Sequence, residues 1–552
     1  MRTRLQTGWA RAEAEVAAVA RQWRPSWTPA VLGVLAAVWT WPALATSDLL
    51  GRRADALGTA WLVSAAPRLW ADRHDALTAW PAGADYTRPD SWVLLAVAAA
   101  GDALAPARLI GLFVWVGVLV SAWAAEALAR ELGARAPWSL VAGIGYAFSG
   151  LGATALVEGY PYHVVDPWLP LGLLAGLRAV DHGGRPLHGV AAAAAFGMAL
   201  ATSAWHGVVA AFLAAGLLLG GRLAGRCRLG PVAAGAGGVV LVAAAYLLLD
   251  AGAAPAALAP TGAGGHTSLA ARLWLHTAPP PSVDIDGRGQ TAWSSSVMLA
   301  GALAAPLCFR HDWRVRTLLG TGLVGLALAV LPVPWAWMVA QAPDSGLASL
   351  YGALARFPER LGWTWLAAAA PLAARTVTEL VDRHGLPAAG LLIAAVLECV
   401  VAPGMPARLA TVPAQVPSVY HQGSGPVLDL WPETLGPDPA WDLRVTNTGC
   451  FYQSGHHRPI ADLCLLAPGV VSPRVELGGW LTDTLFRGGV EAARARLDAS
   501  GFTTVTWHPD LFRPADRAVL AAALERLDPY PEASTDGGDH VIAYSVHPPE
   551  LR

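Results

Sequence analysis

The chain has 552 residues, of which 54% are hydrophobic and only 14% charged, and its mean hydropathy is +0.42. A soluble globular protein carries charge on about a quarter of its residues, so this composition excludes that class and fits a membrane protein. The net charge of -2 argues neither for nor against nucleic acid, while the absence of lysine excludes a P-loop lysine and a lysine Schiff base.

In chain order, "MRTRLQTGWARAEAEVAAVARQWRPSW" is basic and long, with no small-residue cleavage site before the first apolar run. Residues 1–28 are therefore expected to form a cytoplasmic amphipathic helix leading into an uncleaved span. Runs of about 20 mostly apolar residues mark membrane helices. They fall near 29–46, 108–127, 138–157, 167–180, 187–205, 207–221, 230–249, 294–309, 317–333, 361–375 and 386–402, about eleven in all. The piece "SWVLLAVAAA" (91–100) is too short to cross and is expected to dip in or lie at the interface.

Arg130 and Arg135, Arg178 and Arg185, Arg222, Arg226 and Arg228, Arg310, Arg314 and Arg316, and Arg375 and Arg383 fall on alternate connections, on the same side as the Arg-rich N-terminus. The positive-inside rule puts that side in the cytoplasm, and an odd number of spans puts the C-terminus outside. Residues 29–402 then form the transmembrane domain, and 47–107, 250–293, 334–360 and the tail from 403 share the outer face. Tryptophans such as Trp39, Trp41, Trp61, Trp70, Trp80 and Trp92 gather near span borders, as an interfacial belt does.

The tail changes character at Pro403. "VLDLW" (427–431), "FTTVTW" (502–507) and "HVIAYSV" (540–546) read as strands, and "GGVEAARARLDAS" and "PADRAVLAAALERL" as amphipathic helices. The fold class expected is a mainly α polytopic membrane protein with a small extracytoplasmic α/β domain over 403–552. Cys450 and Cys464 lie together in this polar region, where a disulfide and two buried thiols are both open readings; Cys227, Cys308 and Cys399 sit in or beside spans.

The chemistry-bearing stretch is "SDLLGRRADALGTAWLVSAAPRLW", directly after the first span. On a helix Asp48, Arg52 and Asp55, spaced i, i+4, i+7, share one face, and the apolar stripe of Leu57, Trp61 and Ala65 suits a helix lying in the headgroup plane. Taken alone, such charges read as a solvated salt-bridged row; the position beside a membrane exit points to a carboxylate held at the depth of a lipid phosphate.

An acid just after span one, the interfacial helix and "WPAGADYTRPDSW" resemble the GT-C class of multi-pass glycosyltransferases that use polyprenyl-phosphate sugars. "LVAGIGYAFSGLGATALVEGYPYHVVDPWLPLGLLAGLRA", "ARFPERLGWTWLAAAAPLAA" and, in the tail, "CFYQSGHHRPIADL" with "GFTTVTWHPD" are similar to stretches of its bacterial members in the same order. The likeness covers most of the chain in scattered pieces. Two departures stand out: the side-by-side Asp-Glu pair is replaced by a single Asp in "RRAD", and the outer turn reads Gly-Tyr-Pro-Tyr-His in place of Gly-His.

The resemblance implies transfer of a sugar from a polyprenyl-phosphate donor to an extracytoplasmic glycan, lipid or protein acceptor at a bacterial inner membrane, with no nucleic-acid partner. Phosphate leaves as a stable anion, so one base suffices and no general acid is required. The candidate base is Asp55, then Asp48, with Asp85 and Asp90 weaker because "GADYTRPD" also reads as a turn. Arg356 and Arg360, i and i+4 around "FPE", are candidates for the leaving phosphate, against snorkelling or pairing with Glu359; Arg52 and Arg53 could do the same work. Glu158 and His163 could touch the acceptor or the sugar, against a plain interfacial turn, and Asp166 reads as a helix cap before Pro167.

The cofactor is left unassigned, a divalent cation between carboxylate and phosphate being the alternative to arginine. "VDIDGRGQ" lacks the closing Glu of a calcium loop, and His456 and His457 read as a surface turn rather than metal ligands. Two other functions stay open. A lipid-linked saccharide flippase would display buried charges and matched broken helices, which are not evident. A catalytically silent scaffold of the same shape is kept alive by the two departures.

Overall fold

The computed structural model describes residues 28–46, 48–51, 54–72, 74–86, 91–101, 104–181, 186–226, 296–330, 358–384, 411–412, 415–431, 447–464, 473–536 and 539–547, with residues 390 and 394. The N-terminal segment, Arg52, Arg53, Asp90, Arg356, the stretches 230–249 and 250–293 and nearly all of 386–402 lie outside the described residues.

The helices of the first part are α1 (Thr28–Ala45), α2 (Ala54–Ala71), α3 (Trp92–Ala100), α4 (Pro106–Glu131), α5 (Leu140–Ala147), α6 (Gly150–Glu158), α7 (Trp168–Asp181), α8 (Pro186–Thr202), α9 (Ala204–Leu223), α10 (Ser296–Cys308), α11 (Trp313–Val330) and α12 (Gly362–His384). Among the described residues, Pro106–Glu131, Leu140–Val157 and Trp205–Leu223 are long and apolar enough to cross a membrane. The stretch expected as one helix over 138–157 is two: it breaks at Phe148, and Ser149 caps α6, its Oγ accepting from Gly152 N at 3.3 Å. A serine that can close its own turn competes with the helix ladder, and the apolar pattern hides this.

Small residues let the helices approach. Gly216 and Gly220, a G-x-x-x-G on α9, face Thr321 and Thr317 of α11, where an added Cβ would overlap the threonine side chains.

The loop arginines gather at one end of the bundle. Arg178 Nη2 lies 2.6 Å from Glu131, Arg314 3.5 Å from Asp181 and 3.2 Å from Asp312, and Arg375 2.5 Å from the same Asp312, while Arg135 pairs with Asp382. Arg130 binds Glu126 at 2.6 Å and Thr28 at 3.2 Å, which brings the start of α1 to this end too. The ends of α4, α7 and α12 and the α10–α11 connection therefore share one side, the arrangement that alternating cationic loops imply.

At the opposite end, β1 (Leu49–Leu50) follows α1, and a hairpin of β2 (His74–Asp75) and β3 (Ala84–Asp85) follows α2. β1 pairs antiparallel with β4 (Thr411–Val412), Leu49 opposite Val412. The C-terminal region then builds a four-stranded sheet of β5 (Val427–Leu430), β6 (Thr504–Trp507), β7 (Glu532–Ser534) and β8 (Val541–Ser545), in the order β5-β6-β8-β7. β5 and β6 are parallel, and β8 runs antiparallel to both β6 and β7.

Its helices are α13 (Thr448–His456), α14 (Pro473–Phe486), α15 (Val490–Ala499) and α16 (Pro514–Leu527). Strand alternation sorts β5: Leu428 and Leu430 join the core made with Leu481, Leu497, Leu520 and Leu524 of α14, α15 and α16, while Val427 packs with Cys450, Phe451 and Tyr452 of α13. Both faces are covered, so all four residues of β5 are buried.

The segment after α1 and the C-terminal region form one knitted body. Trp80 N donates to Ile460 O at 2.9 Å, Ile460 N to Leu77 O at 2.9 Å, Ala79 N to Asp462 O at 2.6 Å and Trp80 Nε1 to Ser500 O at 2.8 Å. Trp61 of α2 donates to Gln453 Oε1 of α13 at 3.1 Å, and Cys464 N donates to the Tyr86 hydroxyl at 3.1 Å.

Cys450 and Cys464 are joined in a disulfide across 14 residues, which settles the two open readings. Replacing both with alanine should cost about 3 kcal/mol of stability, from the lost restriction of a loop of this length. Denaturant unfolding of the C-terminal region, read by tryptophan fluorescence, checks it.

Candidate functional site

The site lies at the end of the bundle opposite the ion pairs. Gly51, at φ +116°, turns the chain from β1 into α2; a Cβ there would sit 3.0 Å from Leu156 O and 3.4 Å from Val157 O. Only glycine meets both demands, the positive φ and the close approach. Thr59 Oγ1 of α2 then donates to Gly159 O at 2.8 Å. The start of α2, which carries Asp55, is thus packed on the turn that ends α6.

That turn opens the polar cluster. Gly159 closes α6 in the left-handed region at φ +93°, and Pro161–His163 form a single 3-10 turn. Tyr160 stacks on His163, with centroids 5.4 Å apart and planes at 25°. His163 Nε2 lies 3.3 Å from Ser203 Oγ, the cap of α9, and the His163 ring is 5.5 Å from that of His206. His206 Nδ1 is 3.1 Å from Asp166 Oδ2 but off the line of a hydrogen bond, so neither atom has a hydrogen-bond partner among the described residues. Asp166 Oδ1 caps α7, accepting from Trp168 N at 3.1 Å and Leu169 N at 3.3 Å, as its place before Pro167 predicts.

Arg360 enters from the 3-10 turn Pro358–Leu361 ahead of α12. Its Cζ lies 5.2 Å from the Tyr160 ring centre and 5.5 Å from that of Trp205, within cation–π range of both. The residue is only 6% exposed.

The charge balance of the cluster follows from burial. Burial first, then Arg360 and His206, holds the His163 imidazole well below its usual range. Burial pushes the Asp166 carboxyl up to about 8 against the pull of the Leu169 and Trp168 N–H groups. Both shifts favour the uncharged forms near neutral pH, and Arg360 is the guanidinium cation of the cluster. A cation held between two aromatic rings beside neutral polar groups is an arrangement that takes an anion without reorganising.

Of the sequence-derived candidates, the structure brings His163 and Arg360 into this cluster. Asp55 lies in the first turn of α2, between Gly51 and Thr59, which meet the end of α6, and Glu158 is the last residue of α6; their side chains, with those of Asp85 and Glu359, lie outside the described residues. Asp48 sits where β1 meets β4, its Oδ2 accepting from Thr411 Oγ1 at 3.4 Å. Arg52, Arg53, Asp90 and Arg356 fall outside the described residues. His163 is 2% exposed, a core position rather than an open turn.

Tyr160, Ser203, Trp205 and His206 were not singled out from the sequence. "TSAWHG" sits at a span boundary, where polar and aromatic residues pass for an interfacial belt. His456, expected on a surface turn, is instead half-buried and lies flat on Tyr420, with centroids 5.2 Å apart and planes at 5°. Among the described residues no three His, Cys, Asp or Glu side chains come together as a metal site.

No family model matches the chain, and no curated protein matches it. Among solved structures, arabinofuranosyltransferase AftD from Mycobacteria is similar over 94% of this chain and 39% of its own, at 14% identity and a TM-score of 0.54. A mutant of the same protein is similar over 94% of this chain and 41% of its own, at 14% identity and a TM-score of 0.57. This chain therefore spans about two fifths of the length of AftD. Oligosaccharyltransferase AglB from Archaeoglobus fulgidus, in complex with an inhibitory peptide and a dolichol-phosphate, aligns over 90% of this chain and 72% of its own, at 12% identity and a TM-score of 0.48. The likeness to AftD shows the fold: it is that of the GT-C membrane glycosyltransferases, as the order of the sequence motifs implies.

Proposed function

We propose that the chain is a membrane glycosyltransferase that moves a sugar from a polyprenyl-phosphate donor to an extracytoplasmic acceptor. The observation that carries this reading is Arg360, buried against Tyr160 and Trp205, with Tyr160 on the turn that ends α6, against which the start of α2 is packed through Gly51 and Thr59.

In this mechanism Asp55 takes the proton of the acceptor hydroxyl, and the freed oxygen bonds to the anomeric carbon. The bond from that carbon to the donor phosphate oxygen breaks, and the polyprenyl phosphate departs as an anion against Arg360, with Arg356, Arg52 and Arg53 as further cations. Asp48 is the second choice of base. Glu158 and His163 hold the sugar or the acceptor from the α6–α7 turn. The N-terminus lies in the cytoplasm and the C-terminal region, 403–552, outside the membrane, where it shapes the acceptor side. Were a divalent cation used in place of the arginines, Asp55 would be the residue to hold it, and it would supply Lewis acidity to the leaving group.

Incubation of the purified protein in liposomes with radiolabelled polyprenyl-phosphate sugars and a mixture of envelope acceptors tests the reading. Labelled product supports it. Label that crosses the bilayer without transfer assigns the protein to lipid-linked saccharide transport, and neither outcome at any donor leaves a silent scaffold.

A further inference from the structure

Between the C-terminal sheet and α13 runs a hydrogen-bonded chain that the mechanism above does not use. Asp539 Oδ2 lies 2.7 Å from His508 Nδ1 and accepts from the Tyr452 hydroxyl at 2.9 Å. His508 Nε2 is 3.2 Å from the Tyr420 hydroxyl, which donates to Asp429 Oδ1 at 2.7 Å, and Thr506 Oγ1 donates to that same oxygen. Trp431 lies flat on His508, with centroids 3.8 Å apart and planes at 12°, and His508 is completely buried.

The hydrogens can be counted. Tyr420 has one. Given to Asp429, it leaves His508 Nε2 to donate, and with Nδ1 donating to Asp539 the imidazole carries both protons. Given to His508 instead, it requires a proton on Asp429 Oδ1. The two arrangements hold the same number of protons and interconvert by two short hops through the Tyr420 hydroxyl. Losing that proton leaves one of the two links without a hydrogen between its atoms.

A second set of contacts shows what this proton acts on. Asp429 Oδ2 and Asp462 Oδ2 are buried and have no hydrogen-bond partner among the described residues. Both face Gly449 in the first turn of α13: a Cβ there would sit 3.1 Å from the first and would collide with the second. One turn on, Gln453 of the same helix accepts from Trp61 of α2. The other charged or titratable groups around Asp429 are Arg474, which holds Asp462 Oδ1 at 2.8 Å, Arg458, Tyr452, Asp539, and His456 stacked on Tyr420.

We propose that α13 is a proton-held latch on α2: one proton, shared between His508 and Asp429 through Tyr420, keeps α13 seated, and its loss loosens the Gln453–Trp61 contact. The latch stands apart from the glycosyltransferase reading; only its consequence for turnover rests on that reading, because α2 carries Asp55.

The electrostatics agree in direction. Burial first, with the Asp462 charge adding and His508 and Tyr420 opposing, pushes Asp429 up to about 6 from its usual 3.8, and burial raises Asp462 as well. A carboxyl raised in the folded state adds stability that is complete below about 4 and is lost as pH rises through about 6. Asp539 works the other way: despite burial, its bonds to His508 and Tyr452 hold it below the usual carboxylate range. Its contribution is therefore lost only in acid and does not cancel the first between pH 5 and 8.

Hydrogen–deuterium exchange of the full-length protein in nanodiscs, corrected for intrinsic rates, reads the latch on the amides of 58–66. Their protection is expected to fall about tenfold from pH 5 to pH 8. Asp429→Asn, which keeps the shape and stays neutral, is expected to hold the pH 5 protection at pH 8. Protection that does not change with pH in the wild type, or that falls equally in Asp429→Asn, overturns the proposal. Should that variant fail to fold, ¹³C carboxyl spectra of aspartate-labelled wild type decide: the Asp429 carboxyl signal must change over the same pH range as the loss of α2 protection, and a mismatch overturns the latch. The sugar-transfer assay is read separately, so that absence of product counts against the glycosyltransferase reading alone.

Discussion

Asp55→Asn is expected to abolish sugar transfer, with a loss of about a hundred- to ten-thousand-fold, the range for removing a general base, while the protein stays folded. The substitution keeps the size of the side chain and removes its negative charge and its ability to accept a proton. It lies in the first turn of α2, a helix held by Thr59 on Gly159 and by Trp61 on Gln453, so the helix should persist without the carboxylate. Single-turnover transfer with a radiolabelled polyprenyl-phosphate sugar measures the loss. Normal thermal unfolding and unchanged exchange at α2 show that the fold is intact. Full activity in this variant passes the role to Asp48 or removes the one-base mechanism altogether.

The second large effect is expected at Arg360. A charge-assisted contact to a buried anion contributes about 1.5–3 kcal/mol, and removal of a group that meets charge developing at the leaving oxygen costs about a hundred- to a thousand-fold in rate. Arg360→Gln should therefore weaken binding of a polyprenyl phosphate, the product without its sugar, by about tenfold to a hundredfold, and should lower kcat more than it raises acceptor KM. Arg360→Lys should recover binding only in part, because an ammonium does not stack between Tyr160 and Trp205 as a planar guanidinium does. Isothermal titration with the lipid phosphate and steady-state kinetics with varied donor check both. Unchanged lipid-phosphate affinity in Arg360→Gln removes the arginine from the leaving-group site and leaves it a packing element under the two rings.

How far the sequence carried depended on which physical signal each feature leaves. Hydrophobic runs place the helices well where the backbone is regular: 29–46 and 167–180 match α1 and α7 to within one residue at each end, 108–127 lies within α4, and 207–221 within α9. The three strands expected in the tail are β5, β6 and β8, because alternation around β-branched and aromatic residues is strong there. The break between α5 and α6 carries no such mark, since Ser149 and its neighbouring glycines are compatible with an apolar helix until the serine caps. β7 and the pairing of β1 with β4 were also not foreseen. β1 and β4 are two residues each, and their pairing is made only by contact across the chain.

The candidate cluster could be read from its charges and not from its aromatics. Arg360 and His163 stood out because fixed charge and imidazole are rare near spans, and the structure puts both in one cluster with Tyr160 and Ser203. Trp205 and His206 stand in the first turn of α9, just after the polar step from α8, a place that composition alone assigns to an interfacial belt. The network of Tyr420, Asp429, His508 and Asp539 draws on strand β5 and on turns before β5, after β6 and before β8, separated by up to 119 residues. No local spacing rule reports such a meeting.

The knitting of residues 48–86 to residues 411–500 bears on how the molecule is made. Leu49 meets Val412, and Trp61 meets a glutamine 392 positions later. A ribosome delivers the early strand and helix long before their partners exist, so residues 48–86 must wait, half-finished, until residues 411–500 have been made. On the proposed function, competence would then arrive only after residues 411–500 are in place, and a product truncated before them would be inert.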